Sequence, residues 1–194
     1  MQLIAVAAAS ALFGGATSFA QTFLPDVLRP FANSASGWTL LTAMVVAECR
    51  ARTVPSAVFG AVSFVALVLG YQIVSGLRGS ADEQTLFLII GIVVGPFVGV
   101  AASWFHRDGW RALLGSGILS GIAVGEGVYG LVLISDTTGW FYWTIIAVIG
   151  LVLLILTARY RIHNARGRVL LALVVLAVGV AFFFAYLAAG QISR

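Results

Sequence analysis

Charged residues are scarce in this sequence, and lysine is absent. Asp, Glu, Lys and Arg together make up only 9% of the 194 residues, whereas 61% are hydrophobic. A soluble domain carries about 25% charged residues, and a soluble fold of this size could not bury so much apolar surface. The composition therefore excludes a soluble globular domain and a disordered chain.

The sequence also lacks the patterns of several functional classes. Its net charge is +4, but no basic helix or aromatic–basic sheet motif accompanies that charge, so we expect no nucleic-acid partner. The single cysteine, Cys49, excludes a disulfide within the chain, and no Cys/His spacing indicates a metal site. A phosphate-binding glycine loop, a Ser/His/Asp set and a dinucleotide motif are missing too. We expect neither a metal ion nor a cofactor.

Long apolar runs are what the sequence has in abundance. A membrane-spanning helix needs about 20 mostly apolar residues. Seven such runs can be read, at residues 3–21, 36–49, 55–75, 86–105, 112–135, 140–157 and 169–189. The breaks between them leave no room for a soluble domain. The sequence therefore predicts an all-α integral membrane protein, a single bundle of about seven transmembrane helices forming one domain over residues 1–194.

The first run ends in Thr-Ser-Phe-Ala, which resembles a signal-peptide cleavage site. A signal peptide also begins with a positively charged region, and this run has none at its start. We therefore expect the first run to be an uncleaved helix of the bundle.

The arginines predict the orientation of the bundle. Eight of them lie in the breaks after the second, fourth and sixth runs: Arg50, Arg52, Arg107, Arg111, Arg159, Arg161, Arg166 and Arg168. The opposite side has only Arg29, Arg78 and Arg194. Because cytoplasmic loops carry an excess of basic residues, we predict a cytoplasmic N-terminus and a multi-pass protein of a bacterial cytoplasmic (inner) membrane.

Small residues at fixed spacing predict how the helices pack. The fourth run carries Gly91, Gly95 and Gly99, and the fifth carries Gly117, Gly121 and Gly125. Residues four apart share a helix face, and small residues let membrane helices approach closely. We expect these two helices to approach other helices closely, in ordinary membrane packing that includes packing on each other as one option; contact faces of a homo-oligomer are the alternative.

One acid falls inside an apolar run. Glu126 lies near the middle of the fifth run, between Gly125 and Gly127, and Tyr129 follows one helical turn later. Ionisable groups inside a bilayer are costly and usually functional, and desolvation favours the protonated carboxyl. We predict that Glu126 is a buried proton donor. The alternative is a structural carboxyl that hydrogen-bonds between helices.

Two further acids are secondary candidates for catalysis. Glu48 ends the second run beside Arg50, where an interfacial ion pair is the alternative, and Asp26 lies in the first outer loop. Candidate substrate-binding residues share the predicted side of Glu126: Gln21, Asn33, Trp38, Tyr71, Gln72, Tyr129, Trp140 and Trp143. They predict an aromatic-lined pocket in the outer half with Glu126 at its base, although aromatic belts at the membrane interface would place several of them there anyway.

Short motifs in the first half of the chain resemble those of other membrane proteins. They are residues 21–25 (Gln-Thr-Phe-Leu-Pro), Ala-Asn-Ser at 32–34 followed by Trp38, and Gly70-Tyr71. They look like a group of small uncharacterised bacterial polytopic membrane proteins, which implies no function. In overall character the chain more distantly resembles the membrane-bound terpene cyclases of bacterial hybrid terpenoid pathways. That resemblance implies protonation of an olefin or epoxide by a buried carboxylic acid, followed by ring closure through carbocations.

The functional hypothesis is therefore a protonation-initiated (class II-type) terpene cyclase acting on a prenylated lipophilic substrate. Such an enzyme needs a desolvated acid, aromatic faces that stabilise cations and a site that excludes water. The alternative is a small-solute transporter, since the chain also looks like the substrate-binding membrane subunits of vitamin importers. A third hypothesis is a structural or assembly protein that docks through its glycine rows.

Overall fold

The computed structural model describes residues 1–32, 34–79, 85–105 and 107–192, and these ranges contain helices and no strand. The longer helices are α1 (Gln2–Ala20), α3 (Ala35–Glu48), α4 (Thr53–Leu77), α5 (Thr85–Trp104), α6 (Trp110–Tyr129), α8 (Phe141–Tyr160) and α9 (Ala165–Ile192). The shorter ones are a 3-10 turn (Asp26–Leu28), α2 (Arg29–Ala32), a π-helical segment (Gly130–Ile134) and α7 (Ser135–Thr138). The all-helical prediction is confirmed, and each predicted run coincides with one of the longer helices.

Six helices within the described ranges are long and apolar enough to cross a membrane. The exception is α3, which has 14 residues and is about 21 Å long at the helical rise, short of a hydrocarbon core of about 30 Å. It begins where the Ser34 hydroxyl accepts a hydrogen bond from the Gly37 backbone N–H at 3.0 Å, an N-cap that fixes the start of the helix. A crossing by α3, the seventh predicted span, stays a prediction.

The chain divides into two compact units, Met1–Ser103 and Trp104–Arg194. In the first unit, α1 and α4 pack backbone to backbone. Gly14 lies against the backbone of Leu67, and Gly70 lies against that of Ala11, so a Cβ at either glycine would overlap a carbonyl oxygen. Such close approach maximises the van der Waals contact that holds membrane helices together.

Polar pairs cross the same α1–α4 interface. The Ser10 and Ser63 hydroxyls are 2.8 Å apart, and the Ser18 and Ser75 hydroxyls are 2.7 Å apart; all four residues are buried. Each hydroxyl thus has a partner, which removes the cost of an unsatisfied polar group in an apolar environment. The pairs fix the register of α1 on α4.

In the second unit, α6 packs against α9 through its glycine row. Gly121 faces Val178, and Gly125 faces Gly179, whose carbonyl oxygen lies 2.7 Å from the position of a Cβ on Gly125. Residue numbers rise together on the two helices, so α6 and α9 run parallel.

The α6–α8 contact runs in the opposite sense. Gly127 faces Ala147, and Gly150 faces Ser120, with 2.9 Å between the position of a Gly150 Cβ and the Ser120 carbonyl oxygen. Along this contact the residue numbers increase on one helix and decrease on the other, so α6 and α8 are antiparallel. Helix α6 is therefore the central helix of the second unit, with glycine contacts on two sides.

Both glycine rows form close helix contacts, and each row is covered by a helix of its own unit. Gly95 and Gly99 face Ala61 and Ser56 of α4, while the α6 row faces α9. Four-residue spacing defines a face of a helix and leaves open which helix covers it.

Candidate functional site

Glu126 is the only buried acid among the residues that the structure describes, with an exposed fraction of 2%. It lies near the end of α6, where both neighbouring positions are in tight contact. The Cβ position of Gly125 is 2.7 Å from the Gly179 carbonyl oxygen, and that of Gly127 is 2.8 Å from the Trp143 carbonyl oxygen. The glycines thus bring α8 and α9 close on either side of the carboxyl-bearing residue, and this leaves little access for water.

The helix changes its winding one turn after Glu126. Gly130–Ile134 is π-helical and is followed by α7. The Trp143 ring fills the space that a side chain at residue 130 would need, and its indole N–H donates to the Thr138 hydroxyl at 2.8 Å. Single-turn π segments inside α-helices occur frequently at functional sites.

Four aromatic side chains, which we call the aromatic group, gather at this level of the second unit. The Tyr129 ring centroid is 5.9 Å from that of Phe183 and 5.2 Å from that of Tyr186, and Phe182 stacks on Tyr186 at 4.6 Å. All four side chains are half-buried. Tyr129 follows Glu126 by three residues, so it lies about 4.5 Å further along the helix axis.

Two members of the aromatic group, Phe182 and Phe183, were not predicted to line the pocket, whereas Tyr186 was expected on its side of the membrane. Phe182, Phe183 and Tyr186 lie in the last helix, more than 50 residues after Tyr129 in the sequence, and their proximity follows from the parallel packing of α9 on α6. The signal was present as a Phe-Phe-Phe-Ala-Tyr run in an otherwise aliphatic helix. What the sequence could not supply was the register between the two helices.

The predicted aromatic residues of the first unit form a packed core. Trp38 has an exposed fraction of 0%, and its ring centroid lies 6.2 Å from Phe64, 5.7 Å from Tyr71 and 4.5 Å from Phe87. These edge-on contacts are typical of aromatic packing. Trp38 and Tyr71 pack edge-on against each other and against neighbouring rings, and these contacts hold α3 against α4.

The polar candidates of the first unit are also part of its structure. The Tyr71 hydroxyl donates to the Gln21 side-chain oxygen at 2.7 Å, which ties the end of α1 to α4. Gln72 is half-buried on α4. Asn33 lies outside the described residues. The predicted substrate contacts of Gln21, Trp38, Tyr71 and Gln72 remain predictions.

The remaining candidates lie at exposed or structural positions. Asp26 is 85% exposed and forms a salt bridge with Arg29 at 3.0 Å, and Glu48 is exposed at the end of α3. Neither carboxyl has the desolvated surroundings that a proton donor to an apolar substrate needs. Trp140 is exposed, whereas Trp143 is buried beside the π-helical segment.

The six long apolar helices within the described part of the chain indicate a multi-pass α-helical membrane protein. Residues 1–190 match a family of unknown function (DUF6518), and the chain belongs to that family. The match covers nearly the whole chain, so the prediction of an uncharacterised family is confirmed. No curated protein and no solved structure matches the chain.

Proposed function

We propose that this protein is a membrane-embedded cyclase in which Glu126 protonates a prenylated, apolar substrate. The observation that carries the proposal is the burial of Glu126 to 2% exposure on a helix that brings Tyr129 and the other rings of the aromatic group to the next turn. A carboxyl group in an apolar environment can deliver a proton to a weak base. Aromatic faces stabilise the cation that the proton creates.

The protons and electron pairs of the proposed reaction balance without a cofactor. The proton of the Glu126 carboxyl is transferred to one carbon of a terminal C=C bond, which leaves a tertiary carbocation on the other carbon. The π electrons of the next C=C bond attack this cation, a C–C bond forms and a ring closes. The final cation loses a proton to a base, and the carboxylate of Glu126 is reprotonated. The product is therefore an isomer of the substrate.

The ring faces of Tyr129 and Tyr186 are the groups we assign to cation stabilisation. Their centroids are 5.2 Å apart, and a cation within about 6 Å of a ring centroid is stabilised by the ring quadrupole. A prenylated substrate would partition into the bilayer and enter between helices. The exclusion of water around Glu126 protects the carbocation from capture.

The proposal is tested by incubating membranes that contain the protein with farnesyl- and geranylgeranyl-substituted phenols in D₂O. We expect an isomer of the substrate with a new retention time, in which one hydrogen is replaced by one carbon-bound deuterium for each molecule cyclised, since a single protonation starts the reaction. Membranes without the protein serve as the control. If no isomer forms from any of these olefins, the cyclase proposal is wrong.

A proton-linked solute carrier is the second candidate, and the π-helical segment Gly130–Ile134 favours it. Transporters place substrate and coupling-ion sites at interruptions of membrane helices, and this interruption follows Glu126 by one turn. In proteoliposomes, a carrier would accumulate a labelled solute without chemical conversion when a pH gradient is imposed. Deuterium incorporation into an isomerised product without such uptake would exclude the carrier.

We further infer that the arginine-rich breaks face the cytoplasm and that the N-terminus lies on the same side. This orientation requires a return crossing between α1 and α4. We assign that crossing to α3, because the first five residues of α3 are buried in the first unit.

The single cysteine offers a direct test of this orientation. Cys49 directly follows α3 and should be reached by a membrane-impermeant maleimide in inside-out vesicles but not in intact cells. The control is Thr137→Cys combined with Cys49→Ser, since Thr137 is exposed and belongs to the opposite predicted side. Labelling of Cys49 in intact cells would overturn the orientation.

The rate of this labelling should depend on pH in a defined direction. Burial, and secondarily the Glu48 carboxylate, raise the pKa of the Cys49 thiol above its ordinary value. Only the thiolate reacts, so at neutral pH Cys49 should react more slowly than a free thiol, and the rate should keep rising above pH 9. Glu48→Gln removes the secondary cause and should speed the reaction. A rate at neutral pH equal to that of free cysteine would contradict this account.

A further inference from the structure

Three helix ends meet at one end of the second unit. Because α6 and α9 are parallel and α8 is antiparallel to α6, the start of α6, the end of α8 and the start of α9 lie together. Two helix N-termini therefore contribute partial positive charge at this end. The segments concerned are residues 107–111 and 159–168.

These segments carry most of the arginines of the chain. We call them the arginine surface: Arg107, Arg111, Arg159, Arg161, Arg166 and Arg168. The one acid among them is Asp108. The salt bridge found within the described residues, Arg29–Asp26, lies in the other unit. The arginine surface thus has a strong positive charge that the described side chains do not pair.

Two of the six arginines donate hydrogen bonds to backbone carbonyl oxygens close to the arginine surface. Arg161 donates to the carbonyl oxygen of Phe105 and, at 3.4 Å, to that of Arg107, and its guanidinium lies 5.4 Å from the Phe105 ring centroid. The Nε of Arg168 donates to the Ile162 carbonyl oxygen at 3.0 Å. These bonds hold the segment before α6 and the segment before α9 at the end of α8.

Two other arginines lie over exposed aromatic rings. The guanidinium of Arg111 is 5.4 Å from the Trp110 ring centroid, and that of Arg159 is 5.8 Å from the Tyr160 ring centroid. Trp110 is 59% exposed and Tyr160 is 65% exposed. Exposed Trp and Tyr at the ends of membrane helices lie at the level of the lipid headgroups. The rings therefore place the guanidinium groups at headgroup depth.

We propose that the arginine surface binds the phosphate groups of anionic phospholipids. The planar guanidinium matches phosphate oxygens in a bidentate way, and basic surfaces at the cytoplasmic ends of membrane helices bind acidic headgroups. Lipid rather than a nucleic acid is favoured because Trp110 and Tyr160 join the arginines to the apolar surface of α6 and α8. A headgroup bound here would connect three helix ends of one unit.

The test compares phosphatidylglycerol with phosphatidylcholine, each spin-labelled on its acyl chain, around the reconstituted full chain. Wild-type protein should prefer phosphatidylglycerol, and Arg111→Gln combined with Arg166→Gln should reduce that preference by about 30-fold, since each of the two arginines contributes about 1 kcal/mol near an acidic surface and about 1.4 kcal/mol is tenfold. The control, Arg29→Gln with Arg52→Gln, removes the same charge elsewhere and should retain the preference. Circular dichroism checks that both variants keep their helices.

Three outcomes would overturn the proposal. The first is equal binding of the two lipids by wild-type protein, and the second is an unchanged preference in the Arg111→Gln, Arg166→Gln variant. The third separates lipid from free phosphate. If inorganic phosphate at constant ionic strength abolishes the preference, the surface is a site for the free anion. If the preference for phosphatidylglycerol persists in phosphate buffer, the headgroup is the ligand.

Discussion

Gly70→Ala should destabilise the first unit by about 3 kcal/mol, the upper end of the range for overpacking a tight site. A Cβ at residue 70 would overlap the carbonyl oxygen of Ala11 in α1, and its other nearest neighbours are also backbone atoms of Ala11. Backbone cannot move aside as the end of a flexible side chain can. The two helices would have to separate, which would stretch the Ser10–Ser63 hydrogen bond as well.

The matched control lies on the same helix. A Cβ at Gly76 would meet nothing within 4 Å, and alanine is favoured over glycine inside a helix by about 1 kcal/mol. Gly76→Ala should therefore be neutral or slightly stabilising. Both variants can be compared with wild type by thermal or detergent-induced unfolding followed by circular dichroism. Equal stability of Gly70→Ala and Gly76→Ala would show that α1 and α4 are not in this contact.

The contrast between these glycines marks a limit of sequence reasoning. Apolar runs predicted the seven longer helices because burial in lipid demands length and apolarity, which are local properties. The rows at Gly91–Gly99 and Gly117–Gly125 were predicted as contact faces for the same reason. Their partners, α4 and α9, depend on the path of the chain, which four-residue spacing does not contain.

The same limit applies to the candidate site. Glu126 could be found because it is the one acid inside an apolar run. Phe182 and Phe183 could not, since their proximity to Tyr129 depends on the register of α9 on α6. Trp38 and Tyr71 were predicted to line a pocket, but composition does not tell whether aromatic rings face a cavity or each other. In the first unit the rings of Trp38 and Tyr71 pack against each other.

Glu126→Gln should abolish most of the proposed cyclisation while leaving the fold intact. Glutamine has nearly the same shape as protonated glutamic acid and keeps an acceptor oxygen and donor hydrogens, but it cannot deliver a proton. Loss of a positioned general acid typically costs 10²–10⁴-fold in rate. Circular dichroism and the unfolding midpoint should remain close to wild type, which separates a chemical role from a structural one.

Two further variants sharpen this prediction. Glu48→Gln changes an exposed acid and should retain the wild-type rate. Glu126→Asp keeps a carboxyl but withdraws it by one methylene, so it should recover part of the activity. A structural role for Glu126 would give the reverse pattern, with lowered stability in Glu126→Gln and no selective loss of rate.

The central claim is that Glu126 donates the proton that starts the reaction. Its most direct test is the initial rate of deuterium incorporation into the cyclised product in D₂O, measured for wild type, Glu126→Gln and Glu48→Gln at equal amounts of folded protein. We predict that the initial rate of deuterium incorporation falls by at least about 100-fold in Glu126→Gln and is unchanged in Glu48→Gln. Incorporation at the wild-type rate in Glu126→Gln would contradict it.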